Sequence, residues 1–155
     1  MKRAALIDGT WILLGIVPTL ALILTLIDAA HGLALTSIGS AAILTFCYPE
    51  HDGSRPLPML AAHLLGAVIG LALLHTWGSD AWSMGAGVAL LAAAMKIGRF
   101  MHPPAGANPL IVLNIKAGWF FLLDPLLYAL AILMICLWVW SRARPGGPRW
   151  PLRWV

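Results

Sequence analysis

The chain has 155 residues, 61% hydrophobic and 10% charged, with a mean hydropathy of +0.87. A soluble domain carries about 25% charge, so this composition excludes a water-exposed globule and points to one membrane-embedded domain. The net charge of +4 sits mainly at the chain ends (Lys2 and Arg3; Arg142, Arg144, Arg149 and Arg153), as in proteins whose basic residues flank apolar spans, so it does not describe a nucleic-acid surface.

From about Thr10 to about Ala30 the chain is almost wholly apolar, long enough for one crossing. Its basic-then-apolar start imitates a signal peptide, but the run is long, holds Pro18 and is followed by more spans. Residues 31–49 are weaker: a Gly/Ser/Thr-rich first part, then an apolar part in which Thr36 or Ser37 caps a short helix running to about Cys47. A polar loop, Pro49 to Pro56, follows. Pro58 to about His75 is the second long crossing. Gly66 and Gly70 lie on one of its faces at the spacing that lets helices approach closely, and His63 shares that face. Ser83 to about Phe100 is the third, with Gly85, Ala89 and Ala93 as a second small-residue stripe and Lys96 and Arg99 near its end. Trp119 to about Trp140 is the fourth. Trp11, Trp77, Trp82, Trp119, Trp138 and Trp140 all fall at span ends, as an interfacial aromatic belt requires. Residues 1–140 thus read as one transmembrane domain, and residues 141–155 as a basic Pro/Gly/Trp-rich tail, surface-lying or disordered.

Between the third and fourth long spans lies Phe100-Met101-His102-Pro103-Pro104-Ala105-Gly106-Ala107-Asn108-Pro109-Leu110. Two adjacent prolines cannot sit inside a regular helix, and they push Met101 and His102 toward extended geometry. Pro104 can then open a short helix to about Ile115. The reading is a helix broken at bilayer depth, which membranes tolerate only where protein or a polar cavity covers the freed backbone.

The run His102-Pro103-Pro104-Ala105-Gly106-Ala107-Asn108-Pro109-Leu110 resembles the signature of the HPP family of integral membrane proteins. Trp119 to Pro125 is similar to that family's next segment, and Ser37-Ile38-Gly39-Ser40-Ala41-Ala42 resembles its S-F-G-A-S-A stretch. The resemblance runs from about Ile16 to about Trp140. Before His63 the family tends to show Pro-Arg-Asn where this chain has Ser54-Arg55-Pro56-Leu57. The resemblance implies a membrane transporter, with nitrite transport attributed to some plastid and cyanobacterial members.

Shifting the chain by 67 positions places Gly39-Ser40-Ala41-Ala42-Ile43-Leu44 on Gly106-Ala107-Asn108-Pro109-Leu110-Ile111, and Pro58 on Pro125. The architecture repeats as well: long span, broken short span, polar linker, long span. The fold expected is therefore an all-α membrane protein with four long transmembrane helices and two short broken segments, arranged as an inverted 3+3 repeat if the shift is real. If the broken segments re-enter, Arg55, Lys96, Arg99 and Lys116 lie outside; if they cross, only Lys116 does. The positive-inside rule favours crossing, with both termini cytoplasmic in a bacterial inner membrane. Each broken segment then becomes helical near the midplane, from Ser37 and from Pro104, and turns the positive end of a helix dipole toward a shared point.

The site expected from this pattern is an anion path. Pro103 and Pro104 set the break, and Ala105, Gly106 and Ala107 offer backbone N–H groups. Asn108, His102, Ser37, Gly39 and Ser40 complete the lining. His102 is an ionisable group at membrane depth, suited to substrate contact or proton relay; the plainer reading is a break residue satisfied by a carbonyl. Asn108 either lines the path or makes an interhelical hydrogen bond. His63 is counted with the lining, although a packed histidine is its commoner role. Lys96 and Arg99 draw anions to the inner mouth or anchor the helix at the interface. Catalytic and phosphate-binding motifs are missing from the sequence, and Cys47, Cys136 and the histidines lack metal-site spacing. The function expected is a small transporter or channel for a small inorganic anion, without cofactor and not an enzyme, assembled as a homo-oligomer in the lipid bilayer. The alternative is a non-transporting membrane subunit.

Overall fold

The computed structural model describes residues 2–27 and 36–155. Every regular element among these residues is helical: α1 (Lys2–Leu26), α2 (Thr36–Cys47), α3 (Pro56–Thr76), α4 (Ala81–Gly98), α5 (Ala107–Ile115) and α6 (Tyr128–Ala143), with shorter turns between them. α1, α3, α4 and the segment Trp119–Ala143 are each long and apolar enough to cross a membrane. Together with the short α2 and α5, these make the expected four long helices and two short segments.

Local chemistry sets the boundaries. Pro56 opens α3 at a position where its missing N–H costs nothing. Asp80 caps α4 by accepting the Ser83 N–H at 2.7 Å. Pro103 and Pro104 cannot continue a helix from α4; they form a 3₁₀ turn, Pro103–Gly106, that feeds α5. Before α6 the chain passes through a 3₁₀ turn and a π turn. Asp124 sits there with extended dihedrals (φ −125°, ψ 117°) because Pro125 follows it.

Both chain ends lie at one end of the bundle. There the Arg144 guanidinium meets the Asp8 carboxylate at 2.7 Å, and the Leu57 N–H donates to Trp154 O at 3.2 Å. His102 Nδ1 bonds Gly53 O at 2.6 Å. At the opposite end the Ser79 hydroxyl donates to Leu113 O at 2.6 Å, and the His75 and Trp119 rings lie 6.0 Å apart. The six helical segments therefore run alternately from end to end, the two short ones included. The lead into α2, from His31, falls outside the described residues, and with it the part of the expected repeat that would match residues 98–102.

α1 buries a narrow stripe, Gly15, Thr19 and Ile23, which Ile27 continues just past its end. A Cβ at Gly15 would stand 2.5 Å from Phe46 and 2.8 Å from Trp140 Nε1, so only glycine fits there. Trp140 is accordingly a core residue rather than part of an interfacial belt: its indole N–H donates to Trp11 O at 2.7 Å, and its ring meets Phe46 edge-on at 5.0 Å. Trp77, Trp82, Trp119 and Trp138 are exposed, as a belt requires. The Gly85, Ala89 and Ala93 stripe also faces outward. α4 instead turns Ser83, Gly87, Leu91 and Met95 inward, because Pro109 of α5 takes the space a Gly87 side chain would need. The tail is neither disordered nor merely laid on the surface. Trp150 is buried and donates its N–H to Ser54 O at 2.6 Å.

Candidate functional site

α3 and α5 approach each other closely, and glycine makes the approach possible. A Cβ at Gly70 would lie 2.9 Å from Val112 Cβ and 3.0 Å from Pro109 Cα; at Gly66 it would lie 3.2 Å from both Ala105 O and Asn108 Cβ. One turn before Gly66, on the same face, the contact turns polar. His63 of α3, His102 just before the break and Asn108 in the first turn of α5 meet there, each with 0% exposure. The histidine rings are 5.0 Å apart, tilted by 53°. At 1.5 Å per residue, His63 lies about 10 Å along α3 from Pro56, within the apolar depth of the bundle. Ala62, next to His63 in the chain, forms a buried apolar cluster with Leu91, Met95 and Ala105, and Leu65, Ile69 and Phe100 pack against it.

The hydrogen bonds fix the proton positions. Asn108 Nδ2 donates to His63 O at 2.8 Å, which orients the amide, since only the nitrogen can donate to a carbonyl. The same nitrogen lies 3.0 Å from His63 Nδ1, so Nδ1 accepts and His63 carries its proton on Nε2. His102 Nδ1 faces Gly53 O and must donate, which in the neutral ring leaves a bare lone pair on Nε2. His63 Nε2, His102 Nε2 and Asn108 Oδ1 are all buried without a partner among the described residues. One donor and two acceptors thus lie open at one place in an apolar shell, where unmet polar groups cost about 1–3 kcal/mol each.

Above this group, at the end holding both termini, a cavity of about 500 Å³ is lined by Arg55, Lys96, Arg99, Asp52, Met101 and Ala61 among others. Arg55 is paired with Asp52. Arg99 ends α4 in the left-handed region (φ 58°), where glycine would be cheaper. Capping alone does not account for an arginine there. Met101 lines the cavity and its neighbour His102 belongs to the buried group, so the two compartments lie one residue apart along the chain.

The residues expected to form one lining divide into several places. His102, Asn108 and His63 come together. Ala105 packs behind them against Gly66. Lys96 and Arg99 stand at the mouth. Pro103, Pro104, Ala107 and Ser40 line an outward-facing groove with Ile43, Leu44 and Tyr48. Gly106 faces open space, as does Gly39. Ser37 is buried with an unpartnered hydroxyl, but no hydrogen bond ties it to the histidines, and the Ser40 hydroxyl turns back onto Ser37 O.

The N–H groups expected to receive an anion are in part consumed. The Ala105 N–H donates to His102 O, and the Ala107 N–H closes onto Pro104 O. A 3₁₀ turn satisfies its own donors three residues back, so this helix start offers side chains rather than a backbone nest.

Sequence reasoning missed Gly53. Its carbonyl anchors His102, its N–H donates to His51 Nδ1 at 2.9 Å, and a Cβ there would stand 2.8 Å from Met101 O. A lone glycine in a polar loop carries no signal of that role. Arg55 was missed at the mouth for the same reason.

Fold and site together define a small polytopic membrane protein with a cluster of polar side chains buried in its bundle at a proline break. The chain matches the family described as HPP, transmembrane region, over residues 1–151, and it belongs to that family. No curated protein and no solved structure matches it.

Proposed function

We propose that this protein carries a small inorganic anion, nitrite-like, across the membrane by way of the His63, His102 and Asn108 group. The observation that supports it is the set of three unpartnered polar atoms buried at one point between α3, the break and α5. A purely structural cluster would satisfy its members; in this one the three atoms are left for a guest to complete. The vestibule above, with Arg55, Lys96 and Arg99 against Asp52, raises the local anion concentration at its mouth. The vestibule shares its end of the bundle with the arginines of the C-terminal region, while Lys116 stands at the other end, after α5. The positive-inside rule makes that end cytoplasmic, in a bacterial inner membrane.

The protein acts as a homo-oligomer in this reading, since Gly85, Ala89 and Ala93 face outward and can admit a second helix closely. The outward groove of Ser40, Tyr48, Pro103, Pro104 and Ala107 is the feature that favours the other reading, a non-transporting subunit that seats a partner there. Flux separates the two. Purified protein in liposomes takes up nitrite above protein-free vesicles, and Asn108→Ala or His102→Ala reduces the rate. Uptake at the protein-free level for nitrite and other small anions alike overturns the transport reading.

A further inference from the structure

The open atoms of the buried group do not suit a bare anion. Of the three, only His63 Nε2–H donates, while His102 Nε2 and Asn108 Oδ1 both present lone pairs. The backbone offers little to make up the deficit, because the 3₁₀ turn has taken the Ala105 and Ala107 N–H groups. Nor does a fixed cation make it up. α4 turns only Ser83, Gly87, Leu91 and Met95 inward, and the buried residues of α2 are Ser37, Ile38, Ala41, Ala42, Thr45 and Phe46. On α3 the ionisable group facing His102 is His63 itself. In the loop beyond Gly53, His51 is exposed and accepts the Gly53 N–H, while Asp52 and Arg55 pair with each other. Lys96 and Arg99 are exposed at the vestibule.

One change of state converts the group into an anion site. A proton added to His102 Nε2 turns that lone pair into a donor and leaves the Nδ1–H bond to Gly53 O in place. The cluster then offers two ring N–H groups, from His63 and His102, with Asn108 Oδ1 to accept from a protonated guest or a water. A proton alone or an anion alone would leave an uncompensated charge in an apolar shell; together they are neutral.

We propose that the site takes up its anion only together with one proton, held on His102 Nε2, so that transport is electroneutral proton–anion symport. The inference rests on the transport reading above. On loading, the proton comes from the vestibule water and forms the Nε2–H bond. On release at the other face it leaves with the anion, and His102 returns to its neutral form.

The test uses the full chain in liposomes, with nitrite as probe, a pH dye inside, and protein-free vesicles subtracted at the same gradient. An inside-alkaline gradient of about one pH unit accumulates nitrite about tenfold, the interior acidifies by one proton per anion, and a potassium–valinomycin voltage has no effect. His102→Asn keeps a donor for Gly53 O but has no Nε2. It lowers gradient-driven uptake by about tenfold or more, since a hydrogen bond to a charged group exceeds the increment that makes a tenfold change. Nitrite flux that follows the voltage and ignores the pH gradient overturns symport while the transport reading stands; no flux above protein-free vesicles overturns both. A second measurement needs no variant. Nitrite added to the wild-type protein in weakly buffered detergent consumes about one proton per anion bound, and binding without proton uptake overturns the proposal.

Discussion

Gly70→Ala is the sharpest test of how α3 and α5 create the site. The added Cβ would stand 2.9 Å from Val112 Cβ, 3.0 Å from Pro109 Cα and 3.1 Å from Val112 Cγ1. Pro109 Cα is backbone, so relief requires α5 to move away from α3. Overpacking of this kind costs about 1–3 kcal/mol, set against a helix-propensity gain of about 1 kcal/mol for alanine over glycine. Gly39→Ala in α2 is the matched control: its Cβ meets nothing within 4 Å, so only the propensity gain operates. The difference between the two variants isolates the clash at about 1–3 kcal/mol. For a chain of this size that corresponds to a melting-temperature gap of roughly 2–12 °C, read by thermal unfolding in detergent. Asn108 lies on the helix that must shift, so Gly70→Ala also slows nitrite uptake. If Gly70→Ala melts at or above Gly39→Ala, the two helices are not in contact as described.

Asn108→Ala leaves His63 O and the His63 ring without their buried donor; thermal unfolding falls by an amount consistent with about 1–3 kcal/mol per orphaned group, and Asn108→Asp does no better because a carboxylate cannot donate to them. Trp150→Ala removes a buried indole and the donor to Ser54 O, costing about 3–5 kcal/mol; an unchanged melting temperature would mean the tail is not docked. The Ser83 N–H holds the Asp80 carboxyl below its usual range, so the cap contributes stability above the unfolded carboxylate pKa and loses it as pH falls through the lower folded value. The advantage of wild type over Asp80→Ala in thermal unfolding is therefore full at neutral pH and shrinks in acid. An advantage independent of pH would show that the charge of Asp80 does not matter.

What was legible in the sequence was the apolar pattern and the proline break. Apolar runs cut by Pro56, Asp80 and the Pro103-Pro104 pair gave the helix order, because spans and breakers act locally. Gly66 and Gly70 pointed toward His63 for a sound reason: small residues mark close approach, and whatever shares their face meets the neighbouring helix. Proton positions were not legible. They depend on Gly53 O and on the orientation of the Asn108 amide, both set by contacts 45 or more residues apart in the chain. The dipole argument at the break mistook the turn type. A 3₁₀ start closes donors that an α-helical start would leave open. The outward direction of the α4 stripe was not legible either, because periodicity locates a stripe without saying which neighbour claims it.

The most direct measurement is a structure of the protein purified in nitrite, at a resolution that shows ordered water. The account predicts a non-protein density about 2.7–3.2 Å from both His63 Nε2 and His102 Nε2. Three atoms closed onto one another or onto hydrocarbon side chains, with nothing between them, would contradict it.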